Sequence, residues 1–179
     1  MDETGVNTAK GRYDLDILIF ATGFDAGVGA FNNIDVRGLG GAALRDAWAG
    51  GVRTTVGMQV NGFPNMFMTM APSAPASALC NLPVCSDQQV SWISDTIAFV
   101  RRTGAHSIEP SAETEDAWMA HHREVSEPTL IGRNPNSWYR LKDEEGRGGE
   151  LLAYAGGVAH YRSVCDGYAA SGYQGFNIR

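Results

Sequence analysis

Leu15-Asp16-Ile17-Leu18-Ile19-Phe20-Ala21-Thr22-Gly23-Phe24-Asp25-Ala26 is the stretch on which the fold of this chain turns. Residues 17–20 are apolar without alternation and too few for an ordinary helix. A short run of that kind reads as a strand buried on both faces of a sheet. It stops at Ala21-Thr22-Gly23. Glycine lacks a Cβ and accepts positive φ, so a bulky group can approach the backbone there. Ligands of open α/β sheets bind at the carboxyl ends of strands. The expectation is an α/β fold in which this strand end touches a nucleotide cofactor.

Upstream, residues 2–13 read as a polar hairpin with its turn at 7–11. A buried strand so close to the start needs neighbours, and few candidates follow. The chain therefore reads as the end of a longer protein. Downstream, the pattern predicts a short strand at 34–36 and a helix over 42–49 with Leu44, Ala47 and Trp48 on one face. Strands are expected at 54–60 and, buried, at 66–70. Residues 71–84 carry Pro72, Pro75 and Pro83 among small side chains. Proline fixes φ and removes donors, so this is a stiff irregular loop, placed where ligand loops sit. Ser86 or Asp87 then caps a helix to about residue 102 with Val90, Ile93, Ile97 and Val100 as its stripe, ended by Thr103-Gly104. An edge strand is expected at 106–109 and a helix from Pro110-Ser111 to about 125. Residues 129–138 read as irregular, 142–150 as an exposed charged loop, and 151–154 as a strand. A final helix from Gly156-Gly157 to about 170 and a terminal strand at 176–178 complete the chain.

Composition narrows the function. With 44% hydrophobic and 19% charged residues the chain is globular rather than disordered. A net charge of −6 argues against a nucleic-acid binder, which carries a basic face. Residues 1–14 are polar, unlike a signal peptide, and no run reaches the roughly 18 apolar residues of a membrane span. A cytoplasmic location is expected. Cys80, Cys85 and Cys165 lack metal spacing and read as ordinary thiols of a reducing compartment; no metal is expected. His121-His122 read as a solvated pair, and Glu113, Glu115 and Asp116 as an exposed helix start. Gly38-Leu39-Gly40-Gly41 does not follow a strand and open a helix, so it is no dinucleotide fingerprint. There is no P-loop and no nucleophile elbow, and no residue is assigned an acid–base role. Tyr161 reads as core and Arg162 as surface. Trp138 keeps two readings: a core aromatic with one hydrogen bond, or an indole donor facing a cofactor.

Nine stretches, in order, resemble one family, the flavin-dependent Baeyer–Villiger monooxygenases of the cyclohexanone and phenylacetone type. They are Phe-Ala-Thr-Gly-Phe-Asp-Ala (20–26), Ile-Asp-Val-Arg-Gly (34–38), Leu-Arg-Asp-Ala-Trp (44–48), Gly-Phe-Pro-Asn-Met-Phe (62–67), Gln-Gln-Val-Ser-Trp-Ile (88–93), Glu-Asp-Ala-Trp (115–118), Asn-Ser-Trp-Tyr (136–139), Gly-Gly-Val-Ala-His-Tyr-Arg (156–162) and Gly-Tyr-Gln-Gly-Phe (172–176). The resemblance is to the C-terminal third. It implies an α/β piece of a flavoprotein with two Rossmann-like dinucleotide-binding domains, incomplete on its own. Residues 1–179 would hold the end of the NADP domain and the returning part of the FAD domain. The implied cofactors are FAD and NADPH, and the implied partners are an N-terminal FAD/NADP-binding segment, a small ketone and O₂. By the same resemblance Ala21, Thr22 and Gly23 lie near the cofactors. Leu82 stands where a methionine usually touches the flavin, and Trp138 bonds the nicotinamide-side ribose. Ala78, Leu79 and Cys80 line the substrate pocket.

This chain departs from the family near Ala76, with about one extra residue, and at 140–148, where a charged sequence replaces a Gly-Ala-Asn-x-Pro-Gly-Lys stretch. The FAD and NADP fingerprints, the family signature and the arginine that assists oxygen activation lie upstream in relatives. The expected activity is oxygen insertion into a ketone by the whole enzyme, with this chain inactive alone. An N-hydroxylating or N-oxidising flavin monooxygenase fragment and a non-catalytic remnant are the alternatives.

Overall fold

The computed structural model describes residues 1–23, 27–76, 79–142 and 148–179. The chain opens with the expected hairpin: β1 (Gly5–Thr8) pairs antiparallel with β2 (Gly11–Asp14), Gly5 opposite Asp14. Arg12 ties it together, donating to Asp2 at 2.8 Å and Asp14 at 2.7 Å.

The strand expected at 17–20 is not formed. Ile17, Ile19 and Phe20 are 77%, 82% and 69% exposed, and no described strand pairs with them. A strand is stable only when a neighbour takes up its backbone N–H and C=O groups. Here β1 and β2 pair only with each other, so among the described residues the apolar run has no ladder to join.

Other expected strands fail for a related reason. Residues 54–60 are deeply buried but form a closed turn, in which the Thr55 N–H donates to Gln59 O at 2.7 Å. Val56 has φ 49° and Gly57 φ 64°. A Cβ on Gly57 would lie 2.5 Å from the Ala74 backbone nitrogen, so only glycine permits that approach. Residues 34–36 and 66–70 are irregular as well; the Met68 N–H donates to Met58 O at 2.9 Å.

Helices carry the core. Following the short α1 (Gly29–Asn32) and α2 (Leu44–Ala47), α3 runs over Leu82–Thr103. It begins a turn earlier than the sequence suggested, because Pro83 sits within the first turn, where a missing N–H costs nothing. Gly104, at φ 75°, ends it. Its buried face is Cys85, Gln89, Trp92, Thr96 and Val100, not the all-apolar stripe expected, and Val90 and Ile97 are exposed. The two polar residues face inward because they have partners. Gln89 accepts from the Met70 N–H at 2.7 Å, and Thr96 bonds the Tyr173 hydroxyl at 2.8 Å.

Next, β3 (Ile108–Pro110) leads into α4 (Ala112–Ser126), capped by Ser111, whose side chain accepts from the Thr114 N–H at 3.2 Å. After α5 (Leu130–Arg133), β4 (Arg140–Lys142) and β5 (Gly148–Leu151) pair antiparallel. The chain ends with α6 (Val158–Ala170) and β6 (Phe176–Ile178), which lies antiparallel on β3 as an edge pair. The fold is mixed helix and strand, and the described strands form three two-stranded antiparallel sheets.

The larger core joins α3, α4 and α6 through Trp92, Trp118, Tyr161 and Cys165, with Tyr154 and Tyr173. Its buried aromatic donors find acceptors: Trp92 Nε1 donates to Cys165 O at 2.8 Å, Trp118 Nε1 to Ser73 Oγ at 3.1 Å, and Tyr161 OH to Val56 O at 2.7 Å. A second core gathers Leu44, Trp48, Val52, Phe63 and Met68.

Three further expectations are corrected. Glu115 is buried; it accepts from Arg53 at 3.1 Å and from the Asn61 N–H at 2.8 Å. His122 is fully buried, its Nε2 2.7 Å from Leu151 O. Helical spacing alone does not tell a solvated charge from one bridging two cores. Cys80 and Cys85 are joined as a disulfide with Cα atoms 6.5 Å apart, while Cys165 is free and buried.

Candidate functional site

The proline-rich loop forms the floor of the site. It is held by backbone bonds to the segment after β5: the Ser73 N–H donates to Leu152 O at 2.8 Å and the Tyr154 N–H to Ala74 O at 3.0 Å. These bonds make residues 71–76 an ordered, buried surface although they form no strand. Opposite stands a turn over residues 134–140. The Ser137 N–H donates to Asn134 O at 3.1 Å and the Tyr139 N–H to Ser137 Oγ at 3.2 Å. The Leu152 N–H donates to Tyr139 O at 2.7 Å, fixing the turn to the loop's far side.

Between these walls lies a cavity of about 170 Å³. Met70, Pro72, Pro75 and Leu152 form its apolar surface, and Leu82, the first residue of α3, closes one edge. Trp138 and Tyr139 form the opposite edge. Among the described residues, no side chain that is charged at neutral pH lines it. Sites for drug-sized molecules typically enclose about 300–1,000 Å³, so this cavity is of a size for a smaller group.

Trp138 is 65% exposed. Its ring touches Tyr139, with centroids 5.1 Å apart, and its indole N–H finds no acceptor among the described residues. That excludes the core-aromatic reading and leaves an oriented, free donor at a cavity edge. The turn that carries it is anchored by Arg140, two residues on. The Arg140 guanidinium donates to the Glu127 carboxylate at 2.6 Å and also to the carbonyls of Gly132 and Gly149. This one side chain pins β4, β5 and the end of α4 around the turn.

The groups whose pKa values are displaced are not among the described lining residues. Burial raises the Glu150 carboxyl above its ordinary value, against the lowering influence of Arg123 and Arg53. Tyr154 is pushed up to about 12 by burial, and its hydroxyl lies 3.0 Å from His121 Nε2. His122 is held below its ordinary value, chiefly by burial. No described cluster of three or more His, Cys, Asp or Glu is placed to hold a metal, and no described helix is long and apolar enough to cross a membrane.

Of the residues singled out from the sequence, Leu82 and Trp138 share this cavity. Ala21, Thr22 and Gly23 are exposed and irregular, Gly23 at φ 82°, and do not line it. Leu79 and Cys80 are half-buried in the turn before α3, the Leu79 N–H donating to Ala76 O at 2.8 Å. Ala78 lies outside the described residues. Met70, Tyr139 and Leu152 were not anticipated. The prolines flagged the loop, but nothing local in the sequence marked the segments that face it.

No protein-family model matches the chain. Over 177 residues it is 47% identical to the acetone monooxygenase (methyl acetate-forming) of Gordonia sp. strain TY-5, covering 98% of this chain and 33% of that protein. Its structure is similar to a closed crystal structure of cyclohexanone monooxygenase, with TM-score 0.90 and 38% identity, covering 98% of this chain and 33% of that one. It is also similar to an OTEMO complex with FAD and NADP, with TM-score 0.88 and 35% identity, covering 98% and 32%. The chain thus spans about a third of the length of the proteins it matches, and it is a homologue of that third of the Baeyer–Villiger flavoprotein monooxygenases.

Proposed function

We propose that this chain supplies one wall of the cofactor and substrate site of an FAD- and NADPH-dependent monooxygenase that inserts one oxygen of O₂ into a small ketone, giving an ester or lactone. The observation that carries the reading is the shared cavity of Leu82 and Trp138, two residues 56 positions apart by their numbers. The 47% identity to an acetone monooxygenase supports a ketone substrate.

The residues fit the cofactors. An uncharged apolar concavity suits the edge of a planar ring and a small ketone, since neither needs a charge to pair with. The free Trp138 indole N–H suits a ribose hydroxyl, which can accept it. When bound, reduced FAD supplies the oxygen activation and NADPH the electrons. The chain's own residues have positioning roles. Leu82 and the floor of residues 70–76 exclude water and shape the substrate space, and Leu79 and Cys80, in the turn before α3, belong to the same substrate loop by the family resemblance. Trp138 orients the nicotinamide half of NADPH. Ala21, Thr22 and Gly23 reach the cofactors only when residues 17–20 are taken into a sheet, completed by an N-terminal nucleotide-binding segment of the kind the relatives possess. In that assembly the whole is a two-domain, Rossmann-like flavoprotein, to which this chain gives the end of the NADP domain and the returning part of the FAD domain.

The test is a chimera in which this chain replaces the matching third of the acetone monooxygenase. Supplied with NADPH, O₂ and a small ketone, it should yield the ester one oxygen heavier, identified by mass spectrometry. A folded, flavin-loaded chimera that makes no ester but oxidises an amine to its N-oxide would overturn the reading.

A further inference from the structure

Cys80 and Cys85 flank Leu82, the residue that closes one edge of the cavity. Cys80 ends the loop that forms the floor, and Cys85 lies in the first turns of α3, on its buried face. Their Cα atoms are 6.5 Å apart, within the roughly 4.4–6.8 Å that a disulfide spans. The third cysteine differs: Cys165 is fully buried in the core between α3 and α6, and burial pushes its thiol up to about 12. A thiol so far from ionising is a poor nucleophile, so it does not compete for the pair.

We infer that Cys80 and Cys85 form a reversible disulfide that clamps the cavity loop onto α3, so that the redox state of this pair sets how firmly Leu82 is held. The oxidant is a small-molecule disulfide of the glutathione class. Cys80 is half-buried and Cys85 is buried, so Cys80 takes the first step. Its thiolate attacks one sulfur of glutathione disulfide, forming a mixed disulfide and releasing one glutathione thiolate. The Cys85 thiolate then attacks the Cys80 sulfur and displaces the second. Two protein thiols lose two protons and two electrons, and one glutathione disulfide becomes two glutathiones.

The clamp acts on local order. Without the bond, the turn at 79–81 rests on backbone hydrogen bonds: Leu79 N–H and Cys80 N–H to Ala76 O at 2.8 and 3.0 Å, and Cys85 N–H to Asn81 O at 3.0 Å. Helix ends and loops held in this way open first. The covalent link joins the two sides of that turn across Leu82.

The sequence makes the test clean. No Lys or Arg lies between Arg53 and Arg101, so trypsin releases Cys80 and Cys85 in one peptide, 54–101, and Cys165 in another, 163–179. The full chain is equilibrated with glutathione disulfide, unfolded, alkylated and digested. The expected peptide 54–101 carries no alkyl group and weighs two hydrogens less than its dithiol form, while 163–179 is alkylated. Dithiothreitol beforehand gives two alkyl groups on 54–101. Two alkyl groups, or two glutathione adducts, after oxidant would overturn the bond.

Hydrogen exchange then tests the clamp. Reduction should speed exchange at residues 79–85 about tenfold, and in Cys80→Ser oxidant and reductant should give the same rates. A disulfide that forms but leaves those rates unchanged on reduction would overturn the clamp. Neither measurement involves flavin or NADPH, so this inference fails separately from the functional reading.

Discussion

Trp138 illustrates how far a single residue can be read. Its neighbours in sequence left two roles open; its exposure removes the core-aromatic one, and the cofactor-facing one is the role proposed above. In the chimera, Trp138→Ala is expected to raise the KM for NADPH about tenfold, the worth of a single well-placed hydrogen bond or ring contact. The melting temperature should stay within about 2 °C, because the side chain covers little. Trp138→Phe keeps the ring and loses the donor, so it separates the two contributions.

His122 makes a prediction of the opposite kind, for stability rather than binding. Leu151 O can only accept, so Nε2 carries the proton, and Nδ1 is buried with no partner among the described residues. A second proton would put a charge where nothing accepts it, and burial accordingly lowers the His122 pKa. The unfolded chain binds that proton near pH 6.5 and the folded chain does not. Stability therefore rises with pH across the interval between the two pKa values, and is lost as the pH falls below about 6.5. The drop in melting temperature from pH 7.5 to 5.5 should be smaller in His122→Gln than in the parent. Equal slopes would assign the pH dependence to other groups, such as His121, which burial also lowers.

At the scale of elements, two contacts connect what the sequence shows as separate pieces. Tyr161 on α6 donates to Val56 O, at the centre of the buried turn. Tyr161→Phe leaves that carbonyl unpaired, at a cost of about 1–3 kcal/mol, or roughly 2–4 °C in melting temperature per kcal/mol for a chain of this size. Arg140 joins β4, β5 and the end of α4 through one guanidinium. Arg140→Met should cost about 2 kcal/mol and, because the turn carrying Trp138 loosens, weaken NADPH use in the chimera as well. A fall in stability with an unchanged KM for NADPH would separate Arg140 from Trp138.

The longer helices were legible because each carries local signals, whereas the single-turn α1 and α5 fell in stretches read as irregular. Gly104 ends α3, Ser111 caps α4, and Tyr161 faces the core while Arg162 does not. The strands β3 and β6 were legible as separate short strands, but their pairing required the fold. Residues 54–60 and 66–70 were not, since β-branched and apolar composition marks burial without saying whether a neighbour exists to make a ladder. The polar face of α3 was also missed, because Gln89 and Thr96 are inward only by virtue of distant partners. Within the site, Leu82 and Trp138 came from resemblance, whereas Leu152 and Met70 required the fold.

For the molecule as a whole, residues 17–20 remain the most informative feature. Their sequence is that of a strand buried on both faces, yet in this chain they are exposed and unpaired. Propensity sets what a segment can become, while pairing and burial decide whether it does. Under the proposed function, that mismatch is resolved only in the assembled enzyme, where residues 17–20 gain neighbours and the cavity of Leu82 and Trp138 forms one wall of the site.

The most direct measurement is flavin retention, comparing the 179-residue chain with the chimera after FAD loading and gel filtration. The chain alone should elute without the flavin absorbance near 450 nm and should not oxidise NADPH when a ketone is added, whereas the chimera should elute yellow with about one FAD per protein. Stoichiometric flavin on the chain alone, with ketone-dependent NADPH oxidation, would contradict the account.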